Sequence, residues 1–162
     1  MKFSKKLLTI LPVLAMVFSL CITALADNDK LTIGGLENNT WMTKYGNVNT
    51  DCTAEKFSEM GFEWGDLVKV SFLDQELVLP VVPTYSYVDS GKPAIILGKG
   101  PDGSPDGYVS LAINMGNFAE TYQLAQKHKH DDGSRYWTAW EGVRFPVELK
   151  FVMAEEDGYG AA

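Results

Sequence analysis

Apolar and polar positions alternate along much of this chain with the two-residue period of half-buried strands. The clearest run is Leu67-Val68-Lys69-Val70-Ser71-Phe72, and Tyr108-Val109-Ser110-Leu111-Ala112-Ile113-Asn114 repeats the pattern. Leu77-Val78-Leu79-Pro80-Val81-Val82-Pro83 is a third strand, entered from a hairpin-like turn at Asp74-Gln75-Glu76. Its two prolines predict an edge or a bend, because proline cannot donate to a ladder. Ala94-Ile95-Ile96-Leu97-Gly98 is an apolar strand. Tyr136 to Trp140 and Val143 to Met153 read as a closing hairpin around Glu141-Gly142.

Two short helices interrupt the strands. Thr53 can cap the run Thr53-Ala54-Glu55-Lys56-Phe57-Ser58-Glu59-Met60-Gly61, and Gly61 suits a left-handed exit. Phe57 and Met60 lie three apart and are expected to face the core. Asn117 to Leu124 is the second helix, with Phe118, Tyr122 and Leu124 inward. Glycine, proline and aspartate mark Lys99 to Gly107 as an exposed loop, Thr84 to Pro93 is irregular, and Lys127 to Ser134 is charged and turn-like. The pattern predicts a mainly β fold: a small barrel-like domain of short, mostly antiparallel strands with one or two short helices.

The amino terminus has a different character. Lys2, Lys5 and Lys6 precede an apolar run from Leu7 to Leu20, and Ala24-Leu25-Ala26 ends it with small residues at −3 and −1. That is the layout of a signal peptide cleaved after Ala26, and it predicts a secreted, extracellular protein. Pro12 and the shortness of the run argue against a membrane anchor, which needs about 20 apolar residues. Residues 27–40, with a short strand at Leu31–Ile33, read as a flexible lead-in. Residues 41–154 form the domain and 155–162 a frayed tail.

Cleavage removes three lysines and no acid, which takes the net charge from −7 to −10. Such a chain repels phosphate backbones, so no nucleic acid is expected as partner, and no membrane after cleavage. Cys21 leaves with the signal, so Cys52 stands alone. It reads as a small buried residue rather than a nucleophile.

The densest polar cluster is Lys127-His128-Lys129-His130-Asp131-Asp132. His128, His130 and Asp132 are metal-ligand types, but the lysines between them repel a cation, and no metal or cofactor is expected. A planar polar ligand is better served. Asparagines 47, 49, 114 and 117 offer amide donors and acceptors, and Tyr85, Tyr87 and Tyr108 offer ring faces with hydroxyls. By composition alone, asparagine at turns and tyrosine in strands is the better account of these residues.

Two ordered stretches separate those alternatives. Thr43-Lys44-Tyr45-Gly46-Asn47-Val48-Asn49-Thr50-Asp51, leading to the first helix and Gly65-Asp66-Leu67-Val68, is one. The other joins Thr84-Tyr85-Ser86-Tyr87-Val88 and Gly91-Lys92-Pro93 to Gly107-Tyr108-Val109-Ser110-Leu111-Ala112-Ile113-Asn114-Met115-Gly116-Asn117-Phe118-Ala119. From Trp41 to about Leu124 the chain resembles the C-terminal domain of the S-adenosylmethionine hydroxide adenosyltransferases and the related chlorinases and fluorinases. The family pattern has a Tyr/Phe-Gly-Asn-x-x-Thr-Asn run, a Thr-Tyr-Ser-x-Val loop and a Gly-Tyr-x-x-Ile-Ala-x-Asn-x-Gly-Asn-Ala-Ala segment.

The resemblance implies a barrel-like module that helps hold an adenosyl group at a subunit interface. By position it implies ligand contacts at Asn47, Asn49, Tyr85, Ser86, Ile113 and Asn114, with Tyr85 as aromatic face and Ile113-Asn114 along the nucleoside edge. Asp51 departs from the family's Asn, and the segment from Lys127 to Met153 is longer and Trp-rich. The family's catalytic groups sit mainly in an N-terminal domain, and only residues 27–40 precede this module. The expectation is therefore a secreted, non-catalytic binding module for adenosine or an S-adenosylmethionine-type ligand, as a homo-oligomer or with a separate protein partner. The alternatives are an extracellular scaffold, for which Tyr136, Trp137, Trp140 and Phe145 form an exposed patch if they are not core, and an enzyme subunit needing a catalytic partner.

Overall fold

A computed structural model describes residues 31–155 apart from Pro105; the expected signal peptide and most of the tail lie outside the described residues. Nine strands are formed: β1 (Leu31–Ile33), β2 (Val48–Thr53), β3 (Leu67–Phe72), β4 (Gln75–Val82), β5 (Pro93–Ile96), β6 (Tyr108–Ile113), β7 (Ala125–Lys129), β8 (Arg135–Ala139) and β9 (Val147–Met153). Two short helices, α1 (Ala54–Glu59) and α2 (Phe118–Thr121), accompany them.

Seven strands make one nearly closed sheet in the order β1-β9-β3-β4-β5-β6-β2, and β7 and β8 form a separate two-stranded ribbon. All pairings are antiparallel except β4 with β5. The expected mainly β, barrel-like fold is what the chain adopts.

Alternation explains the interior. β3 buries Val68, Val70 and Phe72 and leaves Lys69 and Ser71 toward solvent, as its sequence predicts. Thr53 caps α1, its side-chain oxygen accepting the Lys56 N–H at 3.2 Å. Phe57 turns fully inward, with its ring 4.7 Å from that of Phe62 and edge-on to Phe151 at 5.2 Å. Met60 does not share that burial and is 41% exposed, because it lies beyond the last helical turn, at the C-cap. A second aromatic cluster, Phe72 with Phe118 and Tyr122, fixes α2 against β3.

Several expectations are corrected. The turn before β4 is Leu73-Asp74, with Phe72 paired to Gln75 and Leu73 at φ 49°. β4 is an interior strand, not an edge. Pro80 pairs with Leu67 at the start of β3, and at the next residue the other ladder begins, Val81 with Ile95 of β5. The missing proline donor thus falls just before the β5 ladder begins, and on the β3 side bonding continues past it, with the Val81 N–H donating to the Asp66 carbonyl at 2.8 Å.

The short strand expected at Leu31–Ile33 forms as β1 and is part of the sheet rather than of a flexible segment. β1 pairs with β9 and buries Leu31 and Ile33 in the core. The expected terminal hairpin is two unrelated strands. β8 pairs with β7, whose polar sequence reads as a turn, and β9 lies between β1 and β3. Trp137 is buried, Phe145 packs against the core and Trp140 is half-buried, so of the four rings Tyr136 is the exposed one.

The barrel is closed by a side chain. β1 and β2 are the two ends of the strand order, and the Asp51 carboxylate accepts from the Thr32 N–H at 2.6 Å and from the Thr32 hydroxyl at 2.8 Å. Asp51→Ala is expected to lower stability by about 1–2 kcal/mol in urea denaturation, and Asp51→Asn, which keeps one acceptor, by less. An unchanged midpoint for both would mean that the seam needs no clasp.

Candidate functional site

Strand polarity brings Asn47, Ile113 and Asn114 to one rim of the barrel. β6 runs antiparallel to both β2 and β5, so its carboxyl end lies between their amino ends. Asn47 immediately precedes β2, Ile113 and Asn114 end β6, and Pro93, paired with Ile113, opens β5.

The turn before β2 is held from inside. Thr43 Oγ1 accepts the N–H groups of Asn47 at 3.1 Å and Tyr45 at 3.3 Å, and the Thr43 N–H donates to the Asn47 carbonyl at 2.9 Å. Gly46 stands at φ 88°, and a Cβ there would lie 1.9 Å from Asn117 Oδ1. Only glycine fits both the backbone and the contact. The Gly46 carbonyl accepts the Ala119 N–H at 3.0 Å, which fastens the turn to α2. Asn117 caps that helix, accepting the Glu120 N–H at 3.0 Å and donating to Glu120 Oε2 at 2.5 Å.

The loop between β4 and β5 is fixed by Asn114. Its side-chain amide donates to the Val88 carbonyl at 2.7 Å, its backbone N–H to the Lys92 carbonyl at 3.1 Å, and its carbonyl accepts the Gly91 N–H at 2.7 Å. Thr84 caps a single 3₁₀ turn over Tyr85–Tyr87 and shares a 2.7 Å hydrogen bond with the Ser86 hydroxyl. Tyr85 is half exposed and Tyr87 is 70% exposed.

The six predicted contacts therefore differ in what they have left to offer. Asn49 is occupied within the barrel, donating to the Thr40 carbonyl and accepting from the Ser110 hydroxyl, both at 2.7 Å. Ile113 is buried and touches Gly116. The amide donor of Asn114 and the Ser86 hydroxyl hold the loop. Asn47 is half-buried, and its side-chain amide makes no hydrogen bond among the described residues. Among the described residues, the Asn47 amide, the Asn114 side-chain oxygen and the ring of Tyr85 are groups left open to a ligand.

The weak metal candidates are placed otherwise. His128 Nε2 is 2.8 Å from the Thr138 hydroxyl, and His128 and His130 both lie against the Tyr136 ring. The Asp132 carboxylate accepts from the Ser134 hydroxyl and N–H, which holds its pKa below the usual range. Among the described residues no group of three or more His, Cys, Asp or Glu could hold a metal ion. Cys52 is buried, its thiol 3.4 Å from the Thr53 carbonyl.

Sequence reasoning does not find a cleft of about 410 Å³, lined by Asn117, Glu120, Lys127, His128, Lys129 and Arg135. The charge run at 127–132 signals it, but only pairing with β8 brings Arg135 across from Lys129.

These features define a nearly closed β-barrel module with an open polar rim. Residues 43–130 match the model of the SAM hydroxide adenosyltransferase C-terminal domain, and the chain belongs to that family. A crystal structure of an uncharacterized conserved protein from Thermotoga maritima shares the fold, with a TM-score of 0.51 and 16% identity over 80% of this chain. The chain spans about 40% of that protein's length. No curated protein matches.

Asn114→Ala is expected to release the loop. Hydrogen exchange at the Gly91 amide should quicken by about tenfold, while amides of β3 keep their rates. Equal protection in the variant would show that the loop is held by other contacts.

Proposed function

We propose that this protein is a secreted module that binds a nucleoside or S-adenosylmethionine-type ligand at the rim and does no chemistry by itself. The observation that carries the reading is the half-buried Asn47 amide, whose hydrogen-bonding groups remain open at the rim where Asn114 fastens the loop that carries the half-exposed Tyr85 ring. An amide pairs with a purine edge, and a tyrosine face stacks on the ring. Family membership over residues 43–130 supports that ligand class.

The non-catalytic half of the proposal rests on enclosure. Displacement at a sugar carbon needs a preorganised site that excludes water. Here Tyr45 and Met115, which neighbour Asn47 and Asn114 in sequence, and Tyr85 and Tyr87, on the loop that Asn114 fastens, are all at least half exposed. A rim so open suits binding or attachment to a second surface.

Calorimetric titration with adenosine and with S-adenosylmethionine tests the ligand. Binding should saturate in the micromolar to millimolar range, and Asn47→Ala should weaken it by about tenfold, the equivalent of one good hydrogen bond. Absence of heat at millimolar ligand, with the protein folded, would exclude both compounds.

Export is tested on the full-length chain expressed with its natural amino terminus. The mature protein is expected outside the cytoplasm with Asp27 as its first residue. Material that retains residues 1–26 inside the cell would refute it.

A further inference from the structure

The cleft between α2 and the β7–β8 ribbon concentrates positive charge in a chain whose net charge is −7. Lys129 and Arg135 are direct cross-strand partners, and Lys127 is the partner of Trp137 one step along the same face. Like charges placed opposite one another destabilise a two-stranded ribbon. Neither Lys129 nor Arg135 meets a carboxylate within salt-bridge distance among the described residues.

Glu120 lines the same cleft, but both of its carboxylate oxygens are engaged. Oε2 accepts from Asn117 at 2.5 Å, and Oε1 accepts the Lys127 backbone N–H at 3.0 Å. Lys127 Nζ donates to the Lys44 carbonyl. Burial, and then the nearby Arg135 guanidinium, pull the Lys127 ammonium below the ordinary lysine range. Asp132, in the turn of the ribbon, is engaged by Ser134. The cleft thus holds three cations and one carboxylate, and that carboxylate is already hydrogen-bonded on both oxygens.

We propose that this cleft is an oxyanion-binding site, in which Lys129 and Arg135, with Lys127 beside them, receive the phosphate or carboxylate group of a small soluble ligand. Arginine offers a planar fork of donors that matches such a group, and the lysines add point charges. The anion offsets the cross-strand repulsion that the ribbon carries by itself. The inference does not rest on the nucleoside reading, since none of the cleft residues is among the predicted nucleoside contacts.

The test is calorimetric titration of the purified chain with inorganic phosphate and, separately, with citrate, against sodium chloride at matched ionic strength. At least one of the two anions should bind saturably. Saturation by phosphate alone assigns a phosphate ligand, and by citrate alone a carboxylate. The double variant Lys129→Gln/Arg135→Gln should bind at least tenfold more weakly, and Lys150→Gln, on β9, should bind as the parent does. Without anion the double variant should unfold at the same temperature or higher, because it has lost a repulsion. Should that variant fail to fold, Arg135→Gln alone, which keeps Lys129, should still weaken binding several-fold. No saturable binding of either anion, or equal affinity in the parent and the folded variant, overturns the proposal.

Discussion

The fold depends on a seam that the backbone ladder leaves for a side chain to close. Seven strands curl until β1 and β2, at opposite ends of the strand order, come face to face, and there the Asp51 carboxylate takes two hydrogen bonds from Thr32. An open sheet would leave two edges of unpaired donors and acceptors, which invite association with other chains. Asp51 joins those edges, and β2 is the strand that carries Asn47 to the rim. An aspartate rather than an asparagine at this position therefore has a structural consequence: a carboxylate is a stronger acceptor than an amide and takes both bonds without offering a competing donor.

Four asparagines show how one residue type divides its work. Asn49, Asn114 and Asn117 lie where segments of the chain must be joined or a helix begun, and their amides make those bonds. Each group so engaged is closed to a ligand. Asn47 sits one residue before β2, in a turn already secured by the Thr43 hydroxyl and by Gly46 against α2, so its amide is not needed for the fold. Asn49, by contrast, bonds to Ser110, which is 61 residues away in sequence.

The features legible in the sequence are local ones. α1 is legible because Thr53 caps it and a glycine lies just past its end; β3 and β6 are legible because one face of each is core and the other is not. β7 is hidden because Gln126, Lys127, His128 and Lys129 are polar on both faces, which erases the alternation that announces a strand. It is a strand because β8 pairs with it residue for residue. β1 is legible as a strand at Leu31–Ile33, but three residues carry little signal about packing, and its place in the sheet comes from pairing with β9, more than a hundred residues later. Prolines 80 and 83 mislead in another way. A proline forbids one donor, and this fold puts Pro80 in β4 just before pairing with β5 begins, where that loss is tolerable.

The boundary of the family match adds a further constraint. Residues 43–130 end just past β7, at the turn of its hairpin, and leave out β1, β8 and β9. β9 pairs with both β1 and β3, and Phe151 on it completes the aromatic cluster around Phe57. The matched segment supplies the rim, while closure of the barrel and burial of α1 depend on strands outside it. Arg135, too, lies beyond the match, so the positive face of the β7–β8 ribbon is built half from the shared segment and half from the strand after it. The two surfaces are also joined: Lys127 of the cleft donates to the Lys44 carbonyl in the turn before β2, and Gly46 of that turn packs against Asn117, which lines the cleft.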